Sequence, residues 1–196
     1  MGRYNSYIEN YIALETKILG MLDVDAIDAA LSLLEACLEE NRTVYVFGNG
    51  GSSATASHFQ NDFNRGISRY TERKFRFVCL NDNIPTIMAV ANDIGFGEVF
   101  RFQLRGRARP GDVIIAISGS GNSENVINAV EYAGELGCKI IGLTGYDGGR
   151  LKQLSDISLH VPVRSMQITE DIHMVFDHLM MSVFYRAMCG MDYVEG

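Results

Sequence analysis

The sequence predicts an α/β fold: a mostly parallel five-stranded sheet wound on both faces by helices, with two further helices ahead of the first strand. Three observations carry this. From residue 43 onward, short β-rich apolar runs alternate with helical stretches, the pattern of successive βαβ units. The runs are apolar without interruption, as in strands covered on both faces. Residues 4–40 instead repeat apolar side chains mostly at three- and four-residue spacing, the period of an amphipathic helix.

The strands are predicted at 43–47 (TVYVF), 75–80 (FRFVCL), 113–117 (VIIAI), 139–144 (KIIGLT) and 157–161. Helices are predicted at 53–64, 84–92, 125–136 and 170–188. In the N-terminal part, Tyr4, Tyr7, Ile8, Tyr11, Ile12, Leu14, Ile18 and Leu19 form one stripe. After a break at 20–24, Asp25 reads as the cap of a second helix carrying Ile27, Ala30, Leu31, Leu34 and Leu38. Two such helices cover more than one sheet face requires. Either the same chain or a second copy takes up the surplus stripe.

The 196-residue chain is long enough to bury roughly 70% of its unfolded surface in one domain. No apolar run approaches the ~20 residues of a membrane helix. The opening residues lack the basic start and apolar core of a secretory signal, and a cytoplasmic protein with no membrane partner is expected. Cys37, Cys79, Cys138 and Cys189 form no CxxC pair and sit in apolar stretches, so they read as buried free thiols. The formal net charge of −7 argues against nucleic acid as a partner. The local basic group Arg65, Arg69, Arg73, Lys74 and Arg76 reads as a solvated face.

In a doubly wound sheet, ligands sit outside the carboxyl ends of the strands. The first strand ends in Gly48, Asn49, Gly50, Gly51, Ser52 and Ser53, with a helix following. Glycines let the backbone turn sharply and approach a ligand, and helix-start amides favour an anion. Neither the Gly-Lys-Ser/Thr ending of nucleotide phosphate loops nor the GxGxxG spacing is present. The third strand ends in Ser118, Gly119, Ser120, Gly121, Asn122 and Ser123, again before a helix. Three hydroxyls at i, i+2 and i+5 can converge on one phosphate, although Ser123 can also cap the helix. With no lysine or arginine in either loop, neutral donors suit a monophosphate.

At these residues the chain resembles the sugar isomerase (SIS) domain family and, within it, the phosphoheptose isomerases. The resemblance runs from about Tyr4 to the end of the last helix. It rests on FGNGGSSATASHF (47–59), AVANDIGFGEVF (89–100), SGSGNSENV (118–126) and TEDIHMVFDH (169–178). It implies a three-layer, flavodoxin-like sandwich, with 1–42 as a helical extension for packing and 43–196 as the sugar-phosphate-binding domain. It also implies a homotetramer with active sites between subunits, a phosphorylated-sugar substrate and a divalent metal, written as zinc. The reaction implied is aldose–ketose interconversion of sedoheptulose 7-phosphate through an enediol, for surface polysaccharide. Non-catalytic relatives that bind sugar phosphates or a replication initiator are the alternative.

By position, the resemblance makes Ser118, Gly119, Ser120 and Ser123 the phosphate loop, with Gly119 where the family usually has threonine. It makes Asn49, Gly50, Gly51, Asn92 and Asp93 substrate contacts, with Ser52 as a further donor. His58 matches a metal ligand, and His178 a ligand or acid/base. Asp62 stands where the family has its catalytic glutamate, and Glu170 where it has glutamine. Catalytic roles are therefore expected for Asp62, Glu170 and His178, and metal ligation for His58, Asp62, Glu170 and His178. His58 and Asp62 are four apart on one predicted helix face. Glu170 and His178, eight apart, would lie ~12 Å apart on one helix, so they share an ion only if Glu170 precedes the helix or two chains contribute. His173 reads as structural, and Asp171 and Asp177 as surface or interface residues.

Overall fold

The computed structural model describes residues 2–190. Strands β1 Val44–Gly48, β2 Phe77–Cys79, β3 Val113–Ser118, β4 Lys139–Thr144 and β5 Ile157–His160 form one parallel sheet. Their order is β2-β1-β3-β4-β5, the flavodoxin-like winding with its switch point between β1 and β3. All five predicted strands are present, their ends shifted by no more than two residues.

The period-two alternation of strand side chains divides the sheet between two cores. Val44, Val46, Val113, Ile115 and Ile117 face the first, against helices α2 Val24–Glu39, α3 Gly51–Asn61 and α8 Met166–Cys189. Tyr45, Phe47, Ile114 and Ala116 face the second, against α4 Ile84–Asp93, α5 Arg101–Leu104, α6 Glu124–Leu136 and α7 Gly149–Leu154. The result is a three-layer sandwich. Helix α1 Asn5–Leu19 buries only Ile18 and leaves Tyr4, Tyr7, Ile8, Tyr11 and Ile12 uncovered. The stripe that sequence periodicity marks is therefore not packed against this chain.

Two boundaries differ from expectation for local reasons. Helix α2 starts at Val24, so its cap is Asp23, whose carboxylate accepts from the Ala26 amide at 3.0 Å. Asp25 lies in the first turn. Helix α8 starts at Met166, because the Ser165 side chain accepts from the Ile168 amide and caps it there. Glu170 is thus inside the helix. Helix α3 passes into a π-turn over Asp62–Gly66, a deformation that often marks functional sites. The cysteines are free, Cys37, Cys79 and Cys138 buried and Cys189 partly so. Arg65, Arg69, Arg73, Lys74 and Arg76 are exposed, as a solvated face should be.

His173 is on the core side of α8, 1% exposed, with no hydrogen-bond partner for either ring nitrogen among the described residues. Burial lowers its pKa to about 4, an effect only partly offset by the Thr144 backbone. Between pH 6.5 and about 4 the unfolded chain takes up a proton that the folded chain refuses, so stability falls as pH drops through that window. The effect amounts to about 3 kcal/mol at most. Urea unfolding at pH 7 and pH 4.5 should show a smaller loss of stability in His173→Asn than in the wild type; parallel pH profiles would show that His173 is not the group responsible.

Candidate active site

The switch point places the ends of β1 and β3 side by side. Gly48 is fixed by crowding: a Cβ there would lie 2.6 Å from the Ser52 Cβ and 2.8 Å from the Ile117 carbonyl oxygen. The Asn81 side chain continues the ladder past the strand end, accepting from the Gly48 amide at 3.2 Å and donating to its carbonyl at 2.9 Å. The next residue, Asn49, exchanges two hydrogen bonds with Asn125 on α6, each 2.9 Å. This paired-amide bridge joins the first loop to the helix that follows the second. Asn125 is 2% exposed. Local sequence patterns do not mark it as a site residue, although an amide on the buried stripe of Val126, Ala129 and Val130 is a signal.

Asn49, Ser52, Ser118, Gly119, Ser120 and Ser123 line one cavity of about 130 Å3. Ser123 is the N-cap residue of α6 by position, yet its hydroxyl makes no capping bond. It lies 3.2 Å from the Ser118 hydroxyl, while the Val126 amide is taken by the Asn125 side chain. The hydroxyls thus remain available to a ligand. The turn is held rigid at Gly121, whose φ is +65° and whose absent Cβ would lie 1.9 Å from the Gly148 carbonyl oxygen. The Leu151 amide donates to the Gly121 carbonyl at 2.9 Å. Neutral hydroxyls and amides at a helix start form an anion cradle.

Glu170 lines the same cavity and is its sole ionisable side chain among the described residues. Its carboxylate fills the space beside Gly51, at the start of α3, where an added Cβ would approach its oxygens to 2.5 and 2.6 Å. The helix-start dipole favours a carboxylate there.

The histidines lie further along. Helices α3 and α8 run side by side in the same direction: Gly51 meets Glu170, His58 meets His178, and Gly66 meets Tyr185. The His58 and His178 Nε2 atoms are 3.0 Å apart, and Asp62 Oδ2 lies 3.4 and 3.9 Å from them. Asp177 joins them: ligand atoms from His58, Asp62, Asp177 and His178 all fall within 4.8 Å of one another. Asp177 is fully buried, and neither carboxylate oxygen has a hydrogen-bond partner among the described residues. Its pKa is raised to about 8, first by burial and then by the charge of Asp62.

An unpartnered carboxylate is costly to bury, and two imidazoles with two carboxylates form a donor set suited to a divalent ion. The residues present therefore fit a metal. The surface placement expected for Asp177 is corrected. It shares the buried stripe of His173, Phe176 and Met180, a periodicity visible in the sequence.

The expected placement of Glu170 as a ligand beside His178 is also corrected for a single chain. Helix α8 is continuous from Met166 to Cys189, so Glu170 stands two turns from His178 and outside the four-residue cluster. Only a second chain can bring Glu170 and His178 to one ion. Asn92 and Asp93 join neither group. They are exposed at the end of α4, hydrogen-bonded to each other at 2.7 Å. Asp171 is at the surface as expected, accepting from the Tyr11 hydroxyl of α1.

Comparison with known proteins agrees with this geometry. Residues 6–145 match the SIS domain family model. The phosphoheptose isomerase of Aliarcobacter butzleri is 36% identical over 178 residues, 89% of this chain and 93% of the relative. The solved phosphoheptose isomerase structure from Francisella tularensis superposes with a TM-score of 0.85 at 31% identity, covering 93% of this chain and 96% of that one. The structure from Neisseria gonorrhoeae gives 0.84 at 31% identity, over 92% and 97%. This chain belongs to the SIS domain family, as a relative of its phosphoheptose isomerases.

Proposed function

We propose that this chain is a phosphoheptose isomerase, interconverting sedoheptulose 7-phosphate and the matching heptose 7-phosphate aldose for surface-polysaccharide synthesis. One observation carries the reading: at the β1/β3 switch point, a cavity of neutral phosphate donors contains a single acid–base group, Glu170. In this reading the hydroxyls of Ser118, Ser120 and Ser123 and the Gly119 amide hold the phosphate. Asn49, Gly50, Gly51 and Ser52 orient the sugar. Anchoring the far end of the substrate fixes the reacting carbons against the acid–base groups.

Glu170 removes the proton from the carbon next to the carbonyl, giving a cis-enediol, and returns it one carbon over. The carboxylate oxygen of Asp62 that does not ligate relays the hydroxyl proton between the two oxygens, and His178 serves as a ligand. The substitutions from the family pattern support this division, because Asp62 is shorter than the family glutamate while Glu170 adds a carboxylate where the family has an amide. His58, Asp62, Asp177 and His178 would hold the metal, which we take to be zinc. A divalent ion there would act as a Lewis acid on the substrate carbonyl oxygen.

Glu170 and the histidine cluster of one chain are ~12 Å apart along α8. We therefore assign the working site to the interface of a homotetramer, with Asn92 and Asp93 and the partner's cluster completing each cavity. The uncovered apolar face of α1 supports this assembly, as do exposed Ile84, Met88, Ile94 and Phe96 around Asn92 and Asp93. We place the enzyme in the cytoplasm, in keeping with its buried free thiols. No helix of the described residues is long and apolar enough to cross a membrane.

Incubation with sedoheptulose 7-phosphate and a panel of shorter ketose phosphates, followed by NMR of the anomeric signals, should show conversion of the heptulose above the others. No conversion of any member would sink the enzymatic reading. Glu170→Gln should lower kcat by roughly 10²–10⁴-fold with little change in KM; wild-type turnover and wild-type metal content would remove Glu170 from both expected roles. Asp177→Asn should weaken metal binding by more than the about 10–100-fold that loss of an outer-shell partner costs, measured by metal analysis after dialysis against graded chelator. Asp177→Leu should raise the melting temperature of metal-free protein, because it removes a buried carboxyl group with no hydrogen-bond partner among the described residues. Wild-type metal retention in both variants would exclude Asp177 as a ligand.

A further inference from the structure

Strands β1 and β3 have a second pair of ends, which the reaction leaves unused. Where Thr43 leads into β1 and Asp112 into β3, a cavity of about 220 Å3 opens, with Arg42, Arg76, Arg107 and Arg109 around it. Four arginines at one mouth run against the net charge of −7. The neighbouring acids leave Arg107 and Arg109 without an ion pair among the described residues. Asp112 is engaged with the backbone, accepting from the Thr43 amide at 3.0 Å and the Arg109 amide at 2.8 Å. Glu40 is paired with Arg42 at 3.3 Å.

The arginines are not equivalent. Arg42 is anchored: it donates to the Pro110 carbonyl at 2.9 Å and packs over Gly111. Arg76 makes one long bond, 3.4 Å, to the Asn41 carbonyl. Arg107 and Arg109 are exposed, and among the described residues their side chains have neither a hydrogen-bond nor an ion-pair partner. Tyr45, 5% exposed, forms part of the lining. Burial raises its pKa, so its phenol remains a neutral donor.

We propose that this cavity is a second anion site, taking a small phosphorylated anion with at least two negative charges between Arg107 and Arg109. A guanidinium fork matches the spacing of phosphate oxygens and keeps its charge at every physiological pH. The cavity is smaller than the ~300 Å3 at which drug-sized ligand sites begin, which suits a phosphate group with a short substituent. A nucleic-acid backbone fits poorly, because Glu39, Glu40 and Glu72 line the adjoining surface. The serine loop is at the far end of the same strands, about 15 Å away at ~3.3 Å per strand residue. One ligand therefore does not reach both sites, and the assignment does not depend on the isomerase reading.

Equilibrium dialysis with radiolabelled inorganic phosphate at low ionic strength counts the sites. The wild type should bind two phosphates per chain, one in the serine loop and one at the arginines. The R107A/R109A variant should lose the second, its affinity falling about tenfold or more, while S118A/S123A retains it. Both arginines are exposed, so their removal leaves the fold intact; Arg42, which packs, is left unchanged. If R107A/R109A binds as much phosphate as the wild type, or S118A/S123A binds none, the site does not exist. If malonate displaces the arginine-bound phosphate at equal concentration, the assignment to phosphorylated anions is overturned. A single wild-type phosphate that R107A/R109A loses and S118A/S123A keeps would sustain the arginine site and count against the serine loop.

Discussion

The site depends on one paired-amide bridge. Asn49 and Asn125 exchange two hydrogen bonds across the switch point, so the turn leaving β1 and the helix start after β3 cannot shift independently. A buried asparagine that loses such a partner leaves donors and acceptors without water or protein to satisfy them. Asn81 holds Gly48 on the other side of the same turn. Between these restraints, the hydroxyls of Ser118 and Ser123 are free of capping duty and remain close to each other. Rigid neutral donors bind a phosphate without reorganisation, which is why a cavity with no cation of its own can serve an anionic substrate.

The parallel course of α3 and α8 separates two kinds of chemistry along one seam. Near the strand ends, Glu170 sits at the helix-start dipole beside Gly51. Two turns on, His58, Asp62, Asp177 and His178 converge. Asp177 is the unusual member, a carboxylate held inside the core with both oxygens unpartnered. Such a group either keeps its proton or meets a cation, and its neighbours are the ligands that make a cation the better partner. The regular helical turn that ends α3, in which the Asp62 amide donates to the His58 carbonyl, places that shorter side chain within reach of both imidazoles.

Electrostatics differ sharply between the two ends of the sheet. In the serine-loop cavity at the carboxyl ends, helix starts and hydroxyls supply partial positive charge, and no full cation is in the lining among the described residues. At the amino ends, Arg107 and Arg109, unpartnered among the described residues, supply full charge in an otherwise acidic chain. The strands between them are packed on both faces and form a stiff separator rather than a hinge.

The sequence by itself determined the winding order of elements, the two strand-end loops, and the His58–Asp62 pair. Each follows from local rules: period two or three-to-four, glycines at turns, and four-residue spacing on a helix. It also marked the α1 stripe as surplus, because more apolar faces were present than one sheet can cover. The Ser165 cap that starts α8, and so separates Glu170 from His178, is a further local signal; only the tertiary structure decided that Glu170 lies beside Gly51 and His178 beside His58. It alone paired Asn49 with Asn125, 76 positions apart, and turned Asp177 inward to the histidines. Those outcomes depend on which helices lie side by side and at what axial offset. Packing fixes that offset through many weak contacts spread over the chain, and no single stretch of sequence carries it.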